Sequence, residues 1–347
     1  MSDELMMKAT ASATTSVFGA MEAPTEETME QRRNRWLEDR RKAIGATDLA
    51  KILGLAPKSW GGPMSVWLAK TGALMDEDFV MSEEMEMGLE LEETILRVYA
   101  KRTGHEIVRA DPYDFRKVPG SDILGASFDA RRAGGDHRPV DAKNVGYCDP
   151  SKGWGEPGTD QITKGYLVQL HVQMMVDTAP YADLAVLERG QKFRCYEVEA
   201  DLELHAFFKE AAESFWLNHV IADIPPEVDG SDDWGHYLGK MAQATKVVKD
   251  PTPEQLEEAK RLFEIRTTMA AMEEEQKAIE NRLKQAIGEA SGLKGIATWN
   301  QTKGRVTTRW EELARKHIHE KDLERLIPEF TAAGNGYRIF RFNFKGE

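Results

Sequence analysis

Residues 125–143 read GASFDARRAGGDHRPVDAK, and the reading of their two aspartates decides the fold. A short apolar run leads into Asp129. After a polar segment containing Gly134 and Gly135, Asp141 stands beside Val140 with Lys143 two residues on. The Asp-x-Lys triplet alone says little in a chain that is 30% charged. Glu258 and Lys260, and again Glu275 and Lys277, have a similar spacing inside a solvated helical pattern. The setting separates them. Segments 105–110, 123–129 and 138–144 read as short extended runs, and a hairpin through Gly134-Gly135 would lay Asp129 beside Asp141. Residues two apart on a strand share a face, so Asp141 and Lys143 project together. Hard oxygen donors of this kind suit Mg²⁺ or Mn²⁺. A lysine beside a metal-bound water can orient it or help to deprotonate it.

Working outward, residues 82–104 form a helix in which Met85, Leu89, Glu92, Ile95 and Tyr99 recur on one face, ended by Gly104. That stripe is core-facing, and Glu92 is the member that does not belong on it. Met85 and Met87 read as core packing ahead of a wedge between separating bases. Residues 160–178 make a buried helix, followed by strands at 182–190 and 192–200 and an amphipathic helix over 201–220. His105 and His171 have no partner at ligand spacing and read as structural. Nearer the N-terminus, five arginines fall within residues 32–41, and a helix follows with Thr47 as its cap. A further short helix ends at Gly72. This order of helices and strands predicts an α/β domain with a small mixed sheet.

At 347 residues the chain has length for about two domains, or one with an appendage. The expected division is a disordered tail over 1–28, a catalytic domain over 29–228, a linker over 229–250 and an appendage over 251–347. The appendage opens with Thr252-Pro253-Glu254-Gln255, a cap, a first-turn proline and a capping-box glutamine. Leu262, Ile265, Met269, Met272, Gln276, Ile279, Leu283 and Ala286 then alternate steps of three and four, a coiled-coil-like seam on a helix ending near Gly288. Strands are expected at 295–303, 305–310 and 337–344.

Composition narrows the function. A net charge of −13 argues against coating nucleic acid by bulk attraction, though not against a local basic grip. Two cysteines, Cys148 and Cys195, in no metal-binding spacing argue against a disulfide framework or a zinc site and fit a reducing cytosol. No apolar run approaches the ~20 residues that span a bilayer, and the N-terminus lacks a secretory layout.

The ordered motifs resemble a known family, the PD-(D/E)XK nucleases, and within it the YqaJ-like viral recombinases related to lambda exonuclease. The resemblance runs from about residue 35 to 220. IGATDLAKILGLAPKSWGGPMSVWLAKTG (44–72) resembles that family's opening segment and GLELE (88–92) its Gly-x-x-x-Glu helix. GASFDAR (125–131) is similar to its Ser-Pro-Asp-Gly strand, VDAK (140–143) to its Glu-x-Lys strand, and YLVQLHVQMMV (166–176) to its Tyr-x-x-Gln helix. Phe128 and Ala130 replace the usual proline and glycine, and Asp141 replaces the commoner glutamate.

The resemblance implies a restriction-endonuclease-like α/β core and a metal-dependent exonuclease. Such an enzyme digests duplex DNA 5′→3′ from an end and leaves a 3′ single strand for recombination. It implies that Asp129, Asp141 and the Ala142 carbonyl hold Mg²⁺ or Mn²⁺, with Glu92 as a further metal or water ligand. Lys143 would position the attacking water, and Gln169 would hold that water or the metal shell. Arg40, Thr47 and Ser127 would take a 5′-phosphate, although Arg40 reads equally well as part of a solvated basic face. The implied partners are double-stranded DNA ends, a single-strand annealing protein and further copies of the chain, in lambda-type enzymes a ring. The implied setting is the cytoplasm of a bacterial host, from a phage or prophage. Two alternatives stand beside it: a non-catalytic DNA-end or recombination-partner module on the same fold, and a Cas4- or RecB-like nuclease. Cas4- and RecB-like enzymes commonly carry an iron–sulfur cysteine set, and two cysteines cannot supply its four thiolates.

Overall fold

The computed structural model describes residues 27–73, 82–135, 137–240, 247–302, 304 and 307–331. Residues 1–235 and 236–347 group into two units. The first begins with α1 (Met29–Arg41), capped by Thr28 in a reciprocal box with Gln31, then β1 (Ile44–Gly45), α2 (Ala46–Ile52), α3 (Pro63–Thr71) and α4 (Glu83–Thr103). Five short strands follow: β2 (Ile107–Arg109), β3 (Arg116–Lys117), β4 (Leu124–Ala126), β5 (Ala130–Arg132) and β6 (Pro139–Val145). Then come α5 (Lys164–Asp177), β7 (Tyr181–Glu188), β8 (Lys192–Glu199) and α6 (Leu202–Phe215), which runs on into a π-helical turn at Trp216–Ile221.

The main sheet has the order β2-β5-β6-β7-β8, with β6 and β7 parallel and the other pairs antiparallel. Helices cover both faces. Ile95, Leu96 and Tyr99 of α4 pack on Ala130, Val140, Ala142 and Ala185. On the other face Leu170 and Met174 of α5 meet Leu184, Val186, Tyr196 and Val198. Burying a side chain such as Ile95 or Leu170 contributes about 1.5–3 kcal/mol. This small mixed sheet between helices is the α/β architecture that the order of helices and strands in the sequence predicts.

Several expectations need correction. The run 123–129 is not one strand. It breaks after Ala126, so β4 pairs with β1 and β3 in a separate three-stranded sheet, while β5 joins the main sheet. Gly125 permits the tight packing of β4, because a Cβ there would lie 2.5 Å from the Arg116 carbonyl oxygen. Thr47 is not a helix cap. Gly45 is, because Asp48 lies three residues on and its carboxylate accepts the Gly45 N–H at 3.0 Å. The stripe on α4 is core only from Ile95 onward; Met85, Met87 and Leu89 are exposed, since the first turns of α4 extend past the packed sheet.

In the second unit, α7 (Asp232–Lys240) straddles the division and α8 (Pro253–Ile287) runs 35 residues from the Thr252–Gln255 capping box to Gly288. Ile265, Met269, Met272 and Ile279 of its seam are exposed. A two-stranded antiparallel ribbon, β9 (Gly292–Leu293) and β10 (Ala297–Thr298), precedes α9 (Trp310–His317) and α10 (Glu320–Leu326). Trp310, expected to end a strand, instead opens a helix, because the Trp-Glu-Glu-Leu-Ala-Arg-Lys-His segment after it has helical periodicity. The strand expected at 337–344 and residues 1–26 of the tail expected over 1–28 lie outside the described residues, while Thr28 belongs to the cap of α1. No helix among the described residues is long and apolar enough to cross a membrane.

Candidate active site

Strand β6 supplies the centre. Its alternation sends Val140 and Ala142 into the core beneath α4 and turns Asp141 and Lys143 toward α5. Asp141 is 1% exposed. Its Oδ1 accepts amide N–H bonds from Gln169 at 2.9 Å and from Gln173 at 3.0 Å, and its Oδ2 lies 2.5 Å from the Lys143 ammonium. Asp129 arrives just before β5, where the hairpin pairs Ala130 with Val140. Its Oδ2 accepts the Ala142 N–H at 2.8 Å and lies 3.8 Å from Lys143 Nζ. One ammonium thus serves two carboxylates, and the expected hairpin is what brings them together.

The electrostatics follow from that imbalance. Burial, then the Asp141 charge, push the Asp129 carboxyl up to about 7, and Lys143 only partly offsets them. For Lys143, burial disfavours the charged form, but Asp141 and Asp129 outweigh it and raise the pKa above the usual lysine range. The half-buried Tyr166 ring from α5 lies under this ammonium, 6.0 Å from Nζ to centroid. The two carboxylates thus favour the charged form of Lys143 in the metal-free site.

Glu92 is placed differently. It projects from α4, on the opposite face of the sheet from α5, and its Oε1 is 2.9 Å from Arg109 Nη2 on β2. Its charge still reaches Asp129, adding to the upward shift there. Among the described residues no three His, Cys, Asp or Glu side chains gather as a metal-binding group. The donors that converge are two carboxylates with the backbone of Ala142 between them. This set fits Mg²⁺ or Mn²⁺, which take one or two carboxylates and fill the remaining positions with water. Burial and the neighbouring Asp141 charge both disfavour an ionised Asp129, and a divalent cation bound between the two carboxylates would offset that cost.

The residues expected at a phosphate form a partial cluster. Ser127 lies in the break between β4 and β5 and its Oγ accepts the Trp36 indole N–H at 3.2 Å; the Arg40 guanidinium stacks on that indole, 4.5 Å from ring centroid. Half-buried Thr47 is the second residue of α2, and among the described residues no hydrogen bond joins it to Arg40 or Ser127. A buried ion pair fixes this corner. Lys70 Nζ lies 2.7 Å from Asp48 Oδ2 and donates at 2.7 Å to the Arg40 carbonyl, tying α3 to α2 and to the end of α1.

Sequence reasoning missed Trp36 and Gln173. Each had a signal, since Trp36 precedes Arg40 by four residues and Gln173 follows Gln169 by four, the spacing that puts two side chains on one helical face.

The chain was also compared with known proteins. Residues 35–180 match the YqaJ-like viral recombinase domain. The Bacillus subtilis (strain 168) protein YqaJ, itself uncharacterized, is 28% identical over 304 residues, spanning 86% of this chain and 90% of that one. The alkaline exonuclease LHK-Exo of Laribacter hongkongensis, in complex with dAMP, overlaps 55% of this chain and 94% of its own at 20% identity and a TM-score of 0.42. A phage-related exonuclease from Haemophilus somnus 129PT overlaps 52% of this chain and 96% of its own at 14% identity and a TM-score of 0.37.

Proposed function

We propose, from the site geometry and the match of residues 35–180 to the YqaJ-like viral recombinase domain, that this protein is a divalent-metal-dependent exonuclease of a phage-type recombination system. It digests one strand of duplex DNA 5′→3′ from an end and leaves a 3′ single strand, the substrate of a single-strand annealing partner. The observation that carries the reading is Lys143 held between Asp141 and Asp129 at 2.5 and 3.8 Å, with Gln169 on the far oxygen of Asp141.

Asp129, Asp141 and the Ala142 carbonyl would hold the metal. Bound there, a divalent cation supplies charge neutralisation at the scissile phosphate and makes water a better nucleophile near neutral pH. The chain's own groups do the rest. Lys143, held between the two carboxylates, would donate a hydrogen bond to the attacking water or a phosphate oxygen. Gln169 donates to Asp141 Oδ1, which fixes the carboxylate's rotation, so its part is orientation of that ligand. Glu92, paired with Arg109, tunes the site through its charge. Arg40, stacked on Trp36, and Ser127 offer a cation and a hydroxyl to a terminal phosphate.

The test is digestion of a linear, 5′-phosphorylated duplex carrying strand-specific end labels, with Mg²⁺, by wild type and by Lys143→Ala. Loss of label from the 5′ strand as mononucleotides, abolished in the variant, is the expected result. Equal activity in the two proteins would remove Lys143 from the mechanism. Cleavage of closed circles alone would replace the exonuclease with an endonuclease, and DNA binding with no cleavage would favour a binding module.

A further inference from the structure

Gln173 is a buried amide that joins the two halves of the site. It lies one turn beyond Gln169 on α5 and is 1% exposed. Its Nε2 donates to Asp141 Oδ1 at 3.0 Å and to the Ser127 carbonyl at 3.2 Å. On the far side of Ser127, the hydroxyl accepts from Trp36, whose ring carries Arg40. A continuous chain of contacts therefore runs from the hydrolytic carboxylates to the cation expected at a DNA terminus.

No backbone ladder supplies that link. Ser127 follows β4, which pairs with β1 and β3, whereas Asp141 belongs to β6, which pairs with β5 and β7. The break that aims Asp129 also uncouples the two sheets at this point. A primary amide suits the gap, because two N–H groups on one nitrogen can serve two acceptors. A carboxylate has no such donor, and asparagine is one methylene shorter. The orientation leaves Gln173 Oε1 buried and without a hydrogen-bond partner among the described residues, as expected where donors to two fixed acceptors are what the position demands.

We infer that Gln173 is a positioning residue that sets the distance between the end-binding groups and the hydrolytic centre, and with it the length of product released per cut. The inference rests on the exonuclease reading above. An enzyme that measures its cut from a held terminal phosphate needs that spacing fixed more tightly than the metal site alone requires.

The experiment uses the full chain with Gln173→Met, similar in size but without donors, and Gln173→Asn, which keeps the amide but shortens its reach. Three readouts are taken: the ratio of digestion rates on 5′-phosphoryl and 5′-hydroxyl duplexes, the product-length distribution, and Mn²⁺ affinity by calorimetry. Both variants should lose at least fivefold of the end preference and release dinucleotides alongside mononucleotides. A loss of Mn²⁺ affinity with end preference and mononucleotide products unchanged overturns the inference and makes Gln173 a support of Asp141 alone. Equal slowing on both ends with mononucleotides only, or no change, overturns the inference and leaves Gln173 as packing. If Gln173→Met does not fold, Gln173→Asn decides by the same criteria. An inert wild type overturns the exonuclease reading and this inference together. A wild type that discriminates ends, with variants that discriminate equally, overturns this inference alone.

Discussion

Asp141 and Asp183 sit on the adjacent strands β6 and β7, and each is 1% exposed, yet their surroundings differ in sign. Asp183 accepts from the Tyr99 hydroxyl and lies 2.6 Å from Arg132 Nη2 and 3.0 Å from Arg138 Nη1. Two guanidinium groups and a phenol saturate it, and Arg138 passes on to Glu197 at 2.7 Å. Asp141 has two neutral amides and half of one ammonium, shared with Asp129. Both are buried carboxylates at the same depth. One is closed by cations into a structural knot, and the other is left short of positive charge. That shortage, not burial, marks the site that would take a metal.

The sharpest way to break the comparison is to remove charge from the short side. Asp141→Asn and Lys143→Ala should each lower the digestion rate by about 10²–10³-fold. Asp141→Asn should leave the melting temperature of the metal-free protein within a few degrees of wild type, because it removes one of two carboxylates that share Lys143, whereas Lys143→Ala strips the shared cation from both and should lower it by more. Steady-state digestion and calorimetry check the pair of expectations. A rate loss accompanied by unfolding would make Asp141 a second structural knot.

The reciprocal change tests the other side. Asp183→Ala leaves Arg132 and Arg138 buried without their shared carboxylate, which costs about 3 kcal/mol or more. For a unit of this size that corresponds to a fall of roughly 6–12 °C in Tm. Activity per folded molecule should stay within about threefold of wild type. A large rate loss at full folding would place Asp183 in the mechanism.

How far the sequence could distinguish these two aspartates follows from where their partners lie. Asp141 and Lys143 share a strand, and Gln169 stands on a regular helix, so strand and helix periods were enough to assemble them. Asp129 was found for the right reason, the hairpin, although the strand leading to it breaks at Ser127 and Phe128. That break depends on pairing with β1 and β3, which are two residues long and carry almost no local signal. The ion pair of Glu92 with Arg109 and the knot around Asp183 join residues far apart in sequence. Nothing local distinguishes such partners from solvated charges. Thr47 looked like a cap because hydroxyls are common caps, and Asp48 one residue later made Gly45 the true one.

A smaller effect is expected at the outer end of the site. Arg40→Ala removes the cation on Trp36 and should cut the preference for 5′-phosphoryl over 5′-hydroxyl ends by about tenfold, equivalent to the loss of a charged hydrogen bond of roughly 1.5 kcal/mol. Trp36→Leu should do the same indirectly, through a mobile Arg40. Unchanged preference in both would assign Arg40 to the solvated basic face of α1.

The mildest expected effect concerns a buried pair on the far side of α5, and it is one of pH. His171 Nδ1 lies 3.1 Å from His205 Nε2, with the Phe208 ring edge-on. Burial, followed by the neighbouring His205, lowers the His171 pKa to about 4, and burial lowers that of His205 as well. The unfolded chain takes up these protons near the ordinary value of ~6.5. Between about 6.5 and 4 it binds more protons than the folded state, so stability falls as pH falls through that window and is unaffected by this pair above it. Asp129, shifted upward to about 7, acts in the opposite sense over much of the same range, because its protonated form is the one the metal-free fold favours. The informative quantity is therefore the difference between wild type and His171→Phe in metal-free buffer. The variant should lose less stability between pH 7 and 4.5, by on the order of 1–2 kcal/mol after allowance for solvent screening. Chemical denaturation at each pH measures it, and parallel profiles would mean that His171 accepts its proton without opening the helix pair.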